Sequence, residues 1–161
     1  MADGKGINFA AMTSPADAGG MTAETLTDYE EGTWTATIAD GSSNAISTSA
    51  NTCGYIKVGK LVYISGRIVC DGLGSASGAL SITNLPFASK STNDGCSAIP
   101  IGYMGGAAIT ASESVHIRVS DNSTVGSLFE WSATTGTDSF TAASLSADGQ
   151  LQFGGTYQSN A

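Results

Sequence analysis

At 161 residues the chain can bury one sizeable core, and its 41% hydrophobic content excludes a disordered segment. Charged residues make up only 12%, and 6 Lys and Arg against 14 Asp and Glu leave a net charge of −8. The cations are scattered singly, so no patch exists to neutralise phosphates, and both nucleic-acid and anionic-membrane binding are disfavoured. In chain order, residues 1–30 read as a leader. Ile7 and Phe9 fall on one side of a short extended piece around Asn8. Ser14-Pro15-Ala16-Asp17 starts a helical turn, which Gly19-Gly20 ends. The leader has too few apolar residues for a core of its own, so it is expected to be an N-terminal arm that docks elsewhere.

From residue 31 the pattern changes to that of a β domain reaching residue 161. Trp34, Ala36 and Ile38 alternate with Thr33, Thr35 and Thr37, the period of a half-buried strand. Asp40-Gly41-Ser42-Ser43-Asn44 is a loop, and the polar run from Ser47 to Thr52 reads as loop or edge strand. The clearest hairpin runs in over Tyr55–Val58, turns at Gly59-Lys60 and runs out over Leu61–Cys70. A two-residue loop with Gly first suits a type II′ turn. On the outgoing strand Val62, Ile64, Ile68 and Cys70 share one face; Leu61, Tyr63, Arg67 and Val69 share the other. Apolar bulk on both faces predicts a central strand or one covered by a neighbouring subunit.

Further on, Ala79–Thr83 is a short strand, and Asn84-Leu85-Pro86-Phe87 leaves the sheet. Ser97–Met104 is a strand that Pro100 should confine to an edge or a bulge, with a turn at Gly105-Gly106. Val115, Ile117 and Val119 alternate with His116 and Arg118. Val125–Ser132 carries Phe129 and Trp131 on one face. Phe140–Leu145, a turn at Asp148-Gly149 and a strand from Gln150 to Tyr157 complete the pattern. Many short strands with frequent turns and no long helix predict an all-β fold: an antiparallel β-sandwich, jelly-roll-like, with an extended N-terminal arm.

Candidate chemistry is sparse. Asp28, Glu30 and Glu31 form the one dense carboxylate cluster, but adjacent residues on a strand diverge and cannot flank a glycosidic bond. His116 is the sole histidine, which favours an exposed strand residue over a metal ligand or a catalytic base. Cys53, Cys70 and Cys96 are odd in number and lack a Cys-x-x-Cys spacing, so three reduced thiols in a chain made in a cytoplasm are expected. No secretory signal is expected either. No catalytic residue, metal or cofactor is predicted. Tyr55, Tyr63, Tyr103, Trp131 and Tyr157 are the aromatics available for sugar binding, and sequence does not sort them.

The run Asp28-Tyr29-Glu30-Glu31-Gly32-Thr33-Trp34-Thr35 resembles a motif of C-terminal tip domains of phage tail fibres and related virion surface proteins. Gly6-Ile7-Asn8-Phe9, Gly54–Ile68, Asn84-Leu85-Pro86-Phe87 and Gly155-Thr156-Tyr157 fit the same pattern in the same order. The resemblance implies a β-rich, non-enzymatic, homotrimeric bacteriophage virion protein. Tyr29, Trp34, Tyr63 and Arg67 are the candidate subunit-interface residues, and Ile7, Asn8 and Phe9 the candidate virion-docking arm. Two structural roles at the virion surface compete. The short leader favours a capsid decoration (cement) protein, bound by its arm to other virion proteins such as the major capsid protein. The alternative is a tail-fibre tip that joins a fibre shaft and binds a host surface glycan.

Overall fold

The alternation around Trp34 feeds two sheets from one run of chain. The structure, a computed structural model, describes residues 7–8, 25–26, 29–133 and 136–160. Trp34, Ala36 and Ile38 all point inward, but strand β3 (Tyr29–Thr35) and strand β4 (Thr37–Asp40) part company at Ala36. There the Ala36 amide donates to the carbonyl of Asn51 at 3.0 Å instead of to a ladder. β3 then belongs to one sheet and β4 to the other.

Strands β5 (Ser47–Ala50), β6 (Thr52–Val58), β7 (Leu61–Gly72), β8 (Leu80–Thr83), β9 (Ser97–Ala107), β10 (Val115–Val119), β11 (Gly126–Ala133), β12 (Gly136–Ser139) and β13 (Leu145–Gln158) follow. The order across the large sheet is β3-β6-β7-β13-β9-β10-β11-β8-β4, with β5 on β7 and β12 on β11. Every pairing is antiparallel. Because β3 and β4, the two ends of this order, are consecutive in the chain, the sheet is nearly closed on itself. The all-β antiparallel class expected from the sequence is the class observed. Ahead of the domain, strand β1 (Ile7–Asn8) pairs with strand β2 (Thr25–Leu26) in a separate two-stranded sheet. The Ser14-Pro15 turn, Gly19-Gly20 and Phe9 lie outside the described residues.

The second corner is in β9. Its first residues pair with β10 as far as Pro100, and from Ile101 it pairs with β13. Pro100 was expected at an edge or a bulge; β9 is interior, and the bulge is what is found. The missing amide is tolerated because Pro100 sits where the strand changes partner, and the register shifts beside it, leaving Gly102 as the extra residue. Two further expectations are corrected at the far end. Gly105-Gly106 does not turn the chain but stays within β9, with Gly106 at φ 66° opposite a bulge in β13 that absorbs Asp148-Gly149. Phe140–Leu145 is not a strand; Ala142–Ser144 is a single 3₁₀ turn that drops Phe140 into the core. Ser47–Ala50, left open between loop and strand, is β5.

The hairpin is as the sequence predicts: β6 and β7 meet at Gly59-Lys60, and Gly59 takes φ 58°. Val62, Ile64, Ile68 and Cys70 face the core with Leu80, Ile82, Ile99, Ile117, Leu128, Phe140, Leu151 and Phe153. Each such side chain contributes roughly 1.5–3 kcal/mol of gross burial energy. This core fixes which way the other half of each strand points.

Candidate functional site

Residues opposite one another in an antiparallel ladder share a face. The pairs Tyr29–Val58–Leu61–Gln158 and Glu31–Ile56–Tyr63–Thr156 therefore make two outward rows across β3, β6, β7 and β13. Arg67, Gln152 and Tyr103 continue the same face onto β9. Tyr29 is 66% exposed, Leu61 50%, Tyr103 49%, and Ile56 and Tyr63 41% each. Five of the seven large apolar side chains most exposed among the described residues thus gather on one sheet face. Such clustering marks an interaction surface, whereas scattered exposed apolar residues do not.

The polar groups of this face are held outward. The Tyr29 hydroxyl donates to Glu31 Oε2 at 2.6 Å. That bond, with the charge of Glu31, raises the pKa of Tyr29. Arg67 donates through Nε and Nη2 to Gln150 Oε1, at 3.1 and 2.6 Å. Gln150 in turn donates to the Tyr103 hydroxyl at 3.4 Å. Where β9 bulges against β13, a shallow groove of about 310 Å³ opens, lined by Pro100, Gly102, Tyr103, Gln152, Phe153 and Gly154.

The opposite sheet carries a second surface, a row of rings across β10 and β11. His116 stacks on Phe129 with centroids 6.1 Å apart, and the tilted Trp131 ring lies 6.2 Å from His116. The Arg118 guanidinium sits 6.0 Å over the Phe129 ring and ends the row. Trp131 is 58% exposed. The flanking rings shelter His116 Nδ1, which has no hydrogen-bond partner, and this desolvation lowers the imidazole pKa. The three rings form one cluster with a cation at its edge.

Among the described residues no group of three or more His, Cys, Asp or Glu is placed to hold a metal ion, and no helix is long and apolar enough to cross a membrane.

No family model matches the chain, and no curated protein sequence matches it. Among solved structures, the crystal structure of the Dettilon tailspike protein (gp208) resembles it, with a TM-score of 0.69 and 16% sequence identity. The match covers 81% of this chain and 24% of the tailspike, so the chain spans about a quarter of that protein's length. At that identity the likeness is one of fold.

The structure separates the residues singled out in the sequence. Tyr29, Tyr63 and Arg67 lie together on the exposed face of β3-β6-β7. Trp34 does not join them. It is 8% exposed and packs against Phe153 with ring centroids 6.4 Å apart, because the alternation that turns Glu31 and Thr33 outward turns Trp34 inward. Ile7 and Asn8 form β1, and Phe9 and Asp28 lie outside the described residues. Of the five aromatics offered for sugar binding, Tyr157 is buried and Tyr55 packs edge-on against Phe87, while Tyr63, Tyr103 and Trp131 are exposed.

Two features escaped sequence reasoning. Lys57 is 2% exposed, with its Nζ 3.5 Å from Glu30 and 5.3 Å over the Phe87 ring. The alternation Cys53, Tyr55, Lys57 placed it inward, but a lysine at a strand end is ordinarily assigned to solvent. The ring cluster was likewise half visible: Phe129 and Trp131 share a face by spacing, and only the β10–β11 register sets His116 opposite Phe129.

Proposed function

We propose that this chain is a non-enzymatic surface domain of a phage particle, placed at the tail as the receptor-binding part of a fibre or spike, and that it works as a homotrimer. The observation that carries the receptor role is the cluster Trp131–His116–Phe129–Arg118, in which Trp131 and Arg118 are exposed and His116 and Phe129 half-buried. Flat apolar rings suit the C–H faces of sugar rings, and the terminal guanidinium suits an acidic substituent. The ligand is therefore a host surface glycan. The fold shared with a tailspike and the motif around Trp34 support the setting. The divergence of Glu30 and Glu31 supports a role without catalysis: one carboxylate is committed to Lys57, the other to the Tyr29 hydroxyl on the opposite face.

The test is binding of labelled protein to host cells and to purified surface polysaccharide. Wild-type protein binds without shortening the polysaccharide, and Trp131→Ala lowers affinity about ten-fold or more, the scale of one lost stacking contact. Unchanged binding by Trp131→Ala, or depolymerisation of the glycan, overturns the reading.

A second reading is a capsid decoration protein held by Ile7, Asn8 and Phe9. It is favoured by β1 pairing only with β2 and standing apart from the large sheet among the described residues. The leader's length no longer weighs towards it, because a chain matching a quarter of a tailspike carries no information about head or tail through its own length. Deleting residues 1–20 abolishes attachment to heads on this reading and leaves glycan binding untouched on the first.

A further inference from the structure

We propose that the outward face of β3-β6-β7-β13-β9 is the surface on which copies of this chain pack together, with Arg67 of one copy paired to Glu31 of the next. The face presents Tyr29, Ile56, Leu61, Tyr63 and Tyr103 to solvent, an apolar area that a neighbouring molecule covers. Its occupant is identified by charge. Arg67 is the one cation on the outward positions of these five strands, and no acidic side chain contacts it among the described residues; the group that orients it is the neutral amide of Gln150. Glu31 is its counterpart, oriented by the neutral Tyr29 hydroxyl and with no cation on it among the described residues.

The two charges cannot meet within one chain. They lie two strands apart across the sheet and two outward positions apart along it, about 16 Å by strand spacing and rise. One row of small residues, Thr33, Gly54, Ser65 and Gly154, separates their rows; Ile56 and Tyr63 share the Glu31 row, and Tyr29 and Leu61 lie beyond it. A face that carries Glu31 among its apolar rows and Arg67 clear of them pairs each charge with its opposite on a second copy. In a closed ring the Glu31 end of each copy meets the Arg67 end of the next, and a two-fold pair forms both contacts at once. A chain of net charge −8 repels its own copies at long range, so its association must be specific and must use the few cations it has. β3, the terminal strand on that side, is hydrogen-bonded only to β6 among the described residues, which lets a neighbour approach the Glu31 end.

The inference does not depend on the glycan reading, since the two faces belong to opposite sheets. It is tested by sedimentation equilibrium of the full chain and of three variants, each checked for an unchanged β circular-dichroism spectrum. Wild-type protein sediments as a multiple of 16.1 kDa. Arg67→Glu and Glu31→Arg each weaken association about ten-fold or more, and the double exchange Glu31→Arg/Arg67→Glu recovers it. Tyr63→Asp, which places a charge at the apolar centre without touching the ion pair, also dissociates the assembly. A monomeric wild-type protein overturns the proposal. So do single charge reversals that leave the assembly intact, and a folded double exchange that stays dissociated.

Discussion

Gly66 of β7 faces the Cys53 side chain so closely that a Cβ placed there would overlap Cys53 Sγ and lie 2.7 Å from Cys53 Cβ. The same Cβ would lie 3.2 Å from the Phe153 ring. The glycine is therefore a packing requirement at the centre of the sheet, set by the thiol opposite. Gly66→Ala should cost about 1–3 kcal/mol as overpacking. In the Cys53→Ala background the same change should cost less, since the sulfur is gone, but not nothing, since the Cβ at 2.7 Å remains. Urea denaturation of the four proteins gives the coupling directly, and strict additivity would show that the contact is not what excludes a side chain here.

Glu30 and Lys57 make an unequal pair. The lysine is enclosed and the glutamate half exposed, so loss of the carboxylate takes one charged partner from a buried ammonium. Glu30→Ala should destabilise by about 1–3 kcal/mol, below the range for a fully buried pair because solvent reaches the glutamate. Lys57→Met, which fills the same volume without charge, should be close to neutral. Equal losses from both substitutions would mean that the ion pair, not the enclosure of the lysine, sets the energy.

Tyr157 ties the last strand to the segment that leaves β8. Its hydroxyl donates to the Phe87 carbonyl at 2.9 Å and accepts from the Phe87 amide at 3.2 Å. Burial pushes its pKa up to about 12, despite the opposing pull of that backbone bond. Tyr157→Phe leaves both backbone groups unpaired and should cost about 1–3 kcal/mol. In a spectrophotometric titration, the last tyrosine to ionise before alkaline unfolding should disappear in this variant.

Asp40 gives the fold an acid-sensitive loop. Its carboxylate accepts from Asn44 Nδ2, from the Ser77 and Asn44 amides and from the Ser42 amide, which together hold its pKa well below the usual range. A depressed folded pKa adds stability that is complete above the unfolded value, near 3.9, and is lost as pH falls through the folded one. Asp40→Asn should thus lower the denaturation midpoint at pH 7. Its deficit against wild type should shrink as the pH is taken below about 4. A deficit independent of pH would assign the effect to shape, not charge.

Cys53 and Cys70 are buried and Cys96 is exposed, all three as free thiols. Burial raises the thiol pKa of both buried residues, that of Cys53 to about 11. A thiol reagent at pH 7.5 should label one cysteine in the native protein and three in urea, and Cys96→Ser should abolish native labelling.

Much of this was legible from alternation alone. Trp34, Ala36, Ile38, the Val62–Cys70 face and the Val115–Val119 strand point where a period of two places them, because a buried face penalises a one-residue slip at every position. What alternation does not encode is partner choice. Nothing local to Ala36 says that the strand changes sheets there, and nothing local to Pro100 says that β9 does the same. Trp34 was misplaced for a related reason: its motif suggested an interface, while its parity with Ala36 and Ile38 required the core. The candidate sites depend on register between distant strands, so Arg67 with Gln150, and His116 with Phe129 and Trp131, could not be paired before the fold was known.

The long last strand gives the domain a direction under load. β13 lies against β7 through nine consecutive pairs, from Gln150–Val69 to Gln158–Leu61, and is flanked on its other side by β9. A pull along β13 from its C-terminal end strains those transverse bonds in parallel, and they must fail together. β3 is bonded on one side, to β6, and a pull that peels it from Tyr29 strains one pair at a time. A pull along β13 meets a clasp, while a pull that peels β3 meets a zip. Load carried along the strand that ends at Gln158 is therefore held faster than load that peels β3.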